Sequence, residues 1–180
     1  MRQVANFGAR KRLRFVAGAV GVLGMLALTS CGVWQTTKDA TASIGRAIFI
    51  AKVKEMNFVI ESHDALNQNH DGRSLPLVLR FYQLKDSGAF EKASYAQLLD
   101  QDHELLKSSL AGVSEVTLAP GAKLTVSRPM ADEAKFVGVV AFFRTQAGAE
   151  WQLVIPKAAW EKTDPVKLEV TGNRLEVAVQ

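Results

Sequence analysis

Few side chains in this sequence could carry out chemistry, and they fall into two groups. The first is the only cysteine, Cys31, whose thiolate would be a nucleophile. The second consists of His63-Asp64 and His70-Asp71, which could bind a metal ion or supply a hydrolase with a general base. These pairs lack fixed ligand spacing, and the sequence contains no Gly-x-Ser-x-Gly elbow, phosphate loop or His-Glu-x-x-His motif. We therefore favour a protein that is not an enzyme and holds no metal ion.

Cys31 follows a segment organised like a secretory signal peptide. Residues 1–30 contain five basic residues and no acidic one, and the apolar run 15–28 is shorter than the roughly 20 residues that span a bilayer. Leu28-Thr29-Ser30-Cys31 resembles the bacterial lipobox, which implies lipid transfer to the Cys31 sulfur, cleavage before Cys31 and acylation of the new amine. An uncleaved signal anchor is the alternative. We expect covalent lipid on Cys31 and no other cofactor.

The basic character of the chain is confined to this leader. The full sequence has a net charge of +4, but residues 31–180 contain 17 basic and 18 acidic residues. They show no basic face with interleaved aromatic residues, so we expect no nucleic-acid partner. Gly32 follows the cysteine where enterobacterial lipoproteins that stay in the inner membrane carry aspartate. By that analogy we predict the periplasmic face of the outer membrane.

The rest of the chain divides into a tether and a folded domain. Residues 31–52 form the tether, which could include a short helix, and residues 53–180 form the domain. Apolar residues in the domain alternate or run in short stretches, a pattern typical of strands. We predict about eight strands, at 56–61, 77–84, 116–118 paired with 124–126 across Pro120-Gly121, 136–143, 151–155, and 166–170 paired with 175–179. Such spacing indicates a mainly β fold, either a sandwich or a barrel.

One helical pattern, residues 87–111, interrupts the strands after the second of them. Ser94 and Gln97 have the spacing of a capping box, and Gly112 is a plausible end of the helical region. A break near residues 100–102 would give two short helices. The acidic residues and the histidine between positions 100 and 104 are interpreted as a solvated helix surface.

A polar stretch between the first two strands, residues 63–74, predicts a long exposed loop rich in turn-forming residues. Loops on a rigid sandwich often carry binding residues, although an inert surface loop is the alternative. The side chains that could hydrogen-bond a protein partner are Asp64, Asn67, Asn69, His70, Asp71 and Arg73.

Several blocks, in order, resemble the type VI secretion lipoprotein family, known as TssJ, SciN or VasD. The block 76–90, which contains Leu-Arg-Phe-Tyr-Gln-Leu-Lys, is similar to a family strand, and residues 95–102 are similar to the helix that follows it. Residues 128–144 resemble the longest family signature, which ends in Val-Gly-Val-Val-Ala-Phe-Phe-Arg, and residues 151–155 fit the next strand. With the lipobox, the resemblance spans nearly the whole chain.

The resemblance implies a two-sheet, transthyretin-like β-sandwich with a helical insertion. It also implies a structural role, in which the lipoprotein holds the periplasmic domain of the inner-membrane subunit TssM and shares a complex with TssL. The family contact element is the loop between the first two strands, here residues 63–74. No small-molecule substrate is expected. Two alternatives remain: a lipid-anchored periplasmic binding module of another envelope assembly, and a lipid-anchored hydrolase that uses a histidine–aspartate pair.

Overall fold

The computed structural model describes residues 53–178, which fold into eight strands, three short α-helices and one 3-10 helix. The strands are β1 (Glu55–Leu66), β2 (Leu77–Leu84), β3 (Leu110–Leu118), β4 (Lys123–Pro129), β5 (Phe136–Ala141), β6 (Gln152–Pro156), β7 (Val166–Gly172) and β8 (Arg174–Val177). The helices are α1 (Gly88–Lys92), α2 (Tyr95–Asp100) and α3 (Asp102–Leu106), and the 3-10 helix is Lys157–Glu161. The predicted signal peptide and tether lie outside the described residues.

The eight strands form two sheets of four strands each, in the orders β4-β1-β7-β8 and β3-β2-β5-β6. In the first sheet β1 is antiparallel to β4 and parallel to β7, whereas every pairing in the second sheet is antiparallel. This arrangement confirms the predicted mainly β, two-sheet sandwich with a helical insertion after the second strand. No helix in residues 53–178 is long and apolar enough to cross a membrane.

The main core lies where alternate side chains of the two sheets meet. Every second residue of β1 between positions 56 and 60 is fully buried, as the period of two predicts. The ring centroid of Phe58 lies 5.1 Å from that of Phe81 on β2 and 5.3 Å from that of Trp160 on the 3-10 helix. Burial of one such side chain contributes about 1.5–3 kcal/mol, so this aromatic contact is a main link between the sheets.

The second sheet is also buried on its outer face, because the helical insertion covers it. A separate apolar cluster forms there from Tyr82, Leu84, Phe90, Ala93, Leu98, Leu106 and Val140. Alternate residues of β5 therefore contact the main core and this second cluster in turn. That double burial explains the continuously apolar sequence of β5, since neither face of the strand meets water.

A polar network anchors the helices to β2. The Asp102 carboxylate accepts hydrogen bonds of 2.9 Å from Arg80 Nη1 and from the Tyr82 hydroxyl. Burial raises the pKa of Tyr82 above its usual value, so the hydroxyl stays protonated and can donate. Asp102 is only 8% exposed, so its interpretation as part of a solvated helix surface is wrong. The capping box of Ser94 and Gln97 is confirmed.

Two expectations about connections are wrong. Residues around Pro120-Gly121 do not form a hairpin, because β3 pairs with β2 in one sheet and β4 pairs with β1 in the other. Gly112 does not end the helical region, because β3 begins at Leu110 and Gly112 pairs with Gln83 inside it. The final hairpin is confirmed, with Val170 opposite Leu175.

We expect Gly138→Ala to destabilise the fold by about 1–3 kcal/mol, the usual cost of overpacking a core. A Cβ at Gly138 would lie 2.6 Å from Cζ of the Phe90 ring, so α1 would have to move away from β5. Gly112→Ala is the matched control, because its Cβ would lie 3.5 Å from the nearest atom of Gln83 in the same sheet. Urea unfolding measures both variants, and equal stability would contradict this packing.

Candidate functional site

The polar loop between the first two strands begins later than its sequence predicts. Strand β1 continues through Leu66, so the connection spans residues 67–76 rather than 63–74. Leu66 is fully buried and pairs with Gly172 of β7, after an irregularity in register that follows Ser62. The polar composition from His63 onward misled the prediction, because an exposed part of a strand and a loop can have the same composition.

His63 and Asp64 therefore belong to β1 and lie beside the β3–β4 connection. The His63 carbonyl accepts a hydrogen bond of 3.3 Å from the Gly121 N–H, and the His63 Nδ1 accepts one of 3.3 Å from the Ala65 N–H. The Asp64 carboxylate lies against Gly121, whose φ of +68° and lack of a side chain permit that approach. Assigning Asp64 to the loop was wrong.

Asn67 joins three connections at one point. Its Oδ1 accepts a hydrogen bond of 2.8 Å from the Arg144 N–H, and its Nδ2 donates one of 2.9 Å to the Pro76 carbonyl. Its own N–H donates to the Gly172 carbonyl at 2.9 Å. Its φ of +47° lies in the left-handed region, which asparagine tolerates better than most residues. Asn67 thus holds the loop in place.

Asn69 shapes the inside of the same loop. Its Oδ1 accepts hydrogen bonds from the N–H groups of Asp71 and Arg73, at 3.0 and 2.9 Å. Its backbone N–H donates to the Arg73 carbonyl at 3.0 Å, and its carbonyl accepts from Gly72, whose φ is +75°. These four bonds close a compact turn, and they use the side-chain oxygen that the sequence would offer to a partner.

The tip of the turn is formed by His70, Asp71 and Arg73, all of which are exposed. The Asp71 Oδ2 accepts a long hydrogen bond of 3.3 Å from Asn69 Nδ2. The six predicted contact residues therefore separate into three roles: a strand residue, two loop-building amides and a charged tip. The tip presents a histidine, a carboxylate and a guanidinium to the solvent.

Three further connections lie at the same end of the sandwich. Leu77 at the start of β2 pairs with Leu118 at the end of β3, Glu61 pairs with Lys123 at the start of β4, and Leu66 pairs with Gly172. We call this region the loop end. It comprises residues 67–76, 119–122, 142–151 and 172–173. All four connections follow odd-numbered strands.

The loop end contains a concavity of about 200 Å³ between three of its connections. It is lined by Asn67, Gln68, Phe143, Thr145, Gly172 and Asn173. Of these residues the sequence singled out only Asn67 as a contact residue. Gln68 lay in the predicted loop without being named, and the other four were missed. Thr145 lies in the β5–β6 connection and Asn173 in the β7–β8 turn, and both carried only turn-like composition as a signal.

The structure separates the two histidine–aspartate pairs on which the hydrolase and metal interpretations rest. His63-Asp64 lies on β1 and His70-Asp71 lies at the loop tip, so the two pairs belong to different elements. Within residues 53–178 no group of three or more His, Cys, Asp or Glu side chains could hold a metal ion. Cys31 lies outside the described residues.

The fold and the loop end define a β-sandwich module whose candidate binding surface is made of loops. A family model described as T6SS-SciN, the type VI secretion lipoproteins VasD, EvfM and TssJ, matches residues 54–173. The chain therefore belongs to this family of type VI secretion lipoproteins, a structural component of the secretion system. A search of curated proteins found no match to the chain.

Solved structures support the same assignment. A chain from a structure titled "Type VI membrane complex" is 34% identical, with a TM-score of 0.66, over 71% of this chain and 100% of that one. The T6SS lipoprotein TssJ1 from Pseudomonas aeruginosa is 26% identical, with a TM-score of 0.62, over 71% and 96%. A chain from "T6SS protein TssM C-terminal domain (869-1107) from EAEC" is 32% identical, with a TM-score of 0.61, over 71% and 100%.

Asn67→Gly tests whether the Asn67 side chain holds the loop end together. Glycine keeps the left-handed backbone accessible but deletes two side-chain hydrogen bonds, so we expect a loss of about 1–3 kcal/mol. Hydrogen exchange at the Arg144 N–H should accelerate. Exchange of the β5 amides should accelerate only by the amount that the loss in free energy of unfolding explains.

Asn67→Ala provides the comparison, because it deletes the same bonds and adds the strain of a left-handed alanine, about 1 kcal/mol. We expect it to be less stable than Asn67→Gly in urea unfolding. Suppose that Asn67→Gly changes neither the free energy of unfolding nor the hydrogen-exchange rate of the Arg144 N–H. The side chain of Asn67 is then not what holds these connections together.

Proposed function

We propose that this chain is a non-enzymatic lipoprotein that anchors the type VI secretion membrane complex to the outer membrane. Lipid on Cys31 attaches it to the periplasmic face of that membrane, and its loop end binds the periplasmic domain of TssM, which shares the complex with TssL. The observation that carries the proposal is a rigid sandwich that presents a structured loop with a charged tip, in a chain of this family.

One structural relative supports TssM as the partner. The chain matched in the structure titled for TssM residues 869–1107 is covered completely by 71% of the present chain, about 130 residues. The fragment named in that title is 239 residues long, which is well beyond that length. We infer that the matched chain is a companion of the TssM domain in the same structure. A lipoprotein similar to the present one would then have been captured with this partner.

The loop is suited to hold a protein partner. Hydrogen bonds of Asn67 and Asn69 fix its backbone before binding, so little ordering entropy remains to be lost on association. The exposed tip offers both signs of charge and a histidine, which favours a complementary polar surface on the partner. Charged groups at a rim contribute to the association rate and to selectivity more than to affinity.

Cys31 is the proposed lipid site because the lipobox-like sequence ends at it and the chain has no other cysteine. Each buried acyl CH₂ contributes about 0.8 kcal/mol, and a single chain anchors a protein only marginally. Two or three acyl chains on one residue would hold the protein durably at the membrane. The domain itself then needs no membrane-binding surface.

Cys31→Ser should abolish lipid attachment, because the sulfur that accepts the diacylglycerol is missing. Cells grown with labelled palmitate should label the wild-type chain and not the variant, and the variant should keep its full-length leader on a gel. Labelling of Cys31→Ser at the wild-type level would refute the lipid site. Fractionation of the wild-type chain with the inner membrane would instead refute the outer-membrane location.

Replacing the tip residues His70, Asp71 and Arg73 together by alanine should weaken binding of the TssM periplasmic domain at least tenfold. Their side chains are exposed and take no part in closing the turn, apart from the long contact to Asp71, so stability should change little. Titration of the purified full-length chain against this domain measures the effect.

A matched control replaces Asp100, His103 and Lys107 by alanine, which removes an acid, a histidine and a base from exposed positions of the helical insertion. This control should bind TssM like the wild type. Equal affinity of both triple variants would exclude the tip as a contact, and the absence of any binding by the wild-type chain would refute TssM as the partner.

A further inference from the structure

The geometry points to a composite site, in which the concavity of the loop end receives one uncharged side chain of the partner while the charged tip contacts the surrounding surface. This inference rests on the proposed function and extends it. The site consists of three connections: β1–β2, β5–β6 and β7–β8. Its distinctive prediction is that residues far from the polar loop in sequence, Thr145 and Asn173, decide affinity.

The size of the concavity limits what it can hold. Its volume of about 200 Å³ lies below the range of about 300–1,000 Å³ that is typical of pockets for small-molecule ligands. It suits a single side chain inserted from a protein loop. Tightly packed pockets of this kind, near the centre of an interface, are where a few residues supply most of the binding energy.

The chemistry of the lining specifies an uncharged occupant. Phe143 provides an apolar wall and is itself 1% exposed, so it is rigidly packed in the main core. The remaining side chains are amides and a hydroxyl, namely those of Asn67, Gln68, Thr145 and Asn173, and none of them is charged. An apolar wall with a rim of neutral hydrogen-bonding groups fits an aromatic or aliphatic side chain, and a tyrosine would satisfy both parts.

The three connections are held in one arrangement before any partner binds. Asn67 ties the loop to the backbone at Arg144 and Gly172. The Glu150 N–H donates to the Asn173 carbonyl at 3.1 Å, and the Glu150 carbonyl accepts from Leu175 at 2.8 Å, which joins the β5–β6 connection to the final hairpin. The walls of the concavity are therefore fixed relative to each other, as a preorganised binding site requires.

The concavity adjoins the charged tip through Gln68, whose Nε2 donates to the Gly72 carbonyl at 3.0 Å. One partner surface could therefore contact the tip and insert a side chain beside it. This continuity is the reason for assigning both features to the same partner.

The test fills the concavity from two separate connections. Thr145→Trp and Asn173→Trp each place a large side chain at its rim, from exposed and half-exposed positions respectively. We expect each variant of the full-length chain to bind the purified TssM periplasmic domain at least tenfold more weakly than the wild type. Thermal unfolding checks that each variant is folded. Because the two substitutions lie on different connections, the test still works if one of the variants does not fold.

Ser108→Trp is the control at the opposite end of the sandwich. Ser108 is exposed and precedes β3, whose Leu110 pairs with Leu84 at the far end of β2. Since β2 rises about 3.3 Å per residue, this position is about 20 Å from the loop end. Its affinity for TssM should stay within twofold of the wild type.

The outcomes separate the two proposals. Weak binding by both concavity variants, with normal binding by Ser108→Trp, supports the composite site. The composite site is overturned if folded Thr145→Trp and Asn173→Trp bind TssM with wild-type affinity while the triple tip variant binds weakly. That result leaves the proposed function in place. If the wild-type chain does not bind TssM, both proposals fail.

Discussion

Burial of alternate side chains between the two sheets is the constraint on which the rest of this structure depends. β1 and β2 are both central strands, each paired on both sides, yet they belong to different sheets. The chain must therefore cross from one sheet to the other after β1, and it crosses again after β3, β4 and β6. Crossings cannot pass through a packed core, so the connections are confined to the two ends of the sandwich. One end receives all four connections that follow odd-numbered strands.

That crowding gives the loop end its order. A connection of ten residues, such as 67–76, would normally be mobile, because loops have few buried contacts. Here Asn67 lies where three connections meet, and its amide satisfies backbone groups on two of them. The left-handed backbone of Asn67 directs the chain away from β1 so that this contact is possible. A binding surface assembled in this way is set by the core below it, since the strands determine where each connection begins.

Sequence patterns located all eight strands but gave the right partner in only one of the two pairings that they predicted, and the reason is physical. The alternation in β1 and the apolar run of β5 reflect which side chains are buried, and this pattern can be recognised from residues adjacent in the sequence. Pairing depends on distant residues: Pro120-Gly121 looks like a hairpin turn, yet it joins strands of different sheets. Asp102 illustrates the same limit, because an acidic residue on a helix resembles a solvent-exposed one until Arg80 and Tyr82 are placed beside it.

The candidate site shows a related limit, which concerns what polar residues do. Asn67, Asn69 and the charged residues of the tip were equivalent in the sequence as potential partners for hydrogen bonding. In the fold, the amides are satisfied by backbone groups, and the charged side chains remain exposed. This division has a physical basis: an amide has a donor and an acceptor with which to close a turn, whereas an ionised group is costly to remove from water. The amides of Asn67 and Asn69 therefore hold the backbone of the loop end in place. The partner is then recognised by the charged tip and by the neighbouring connections.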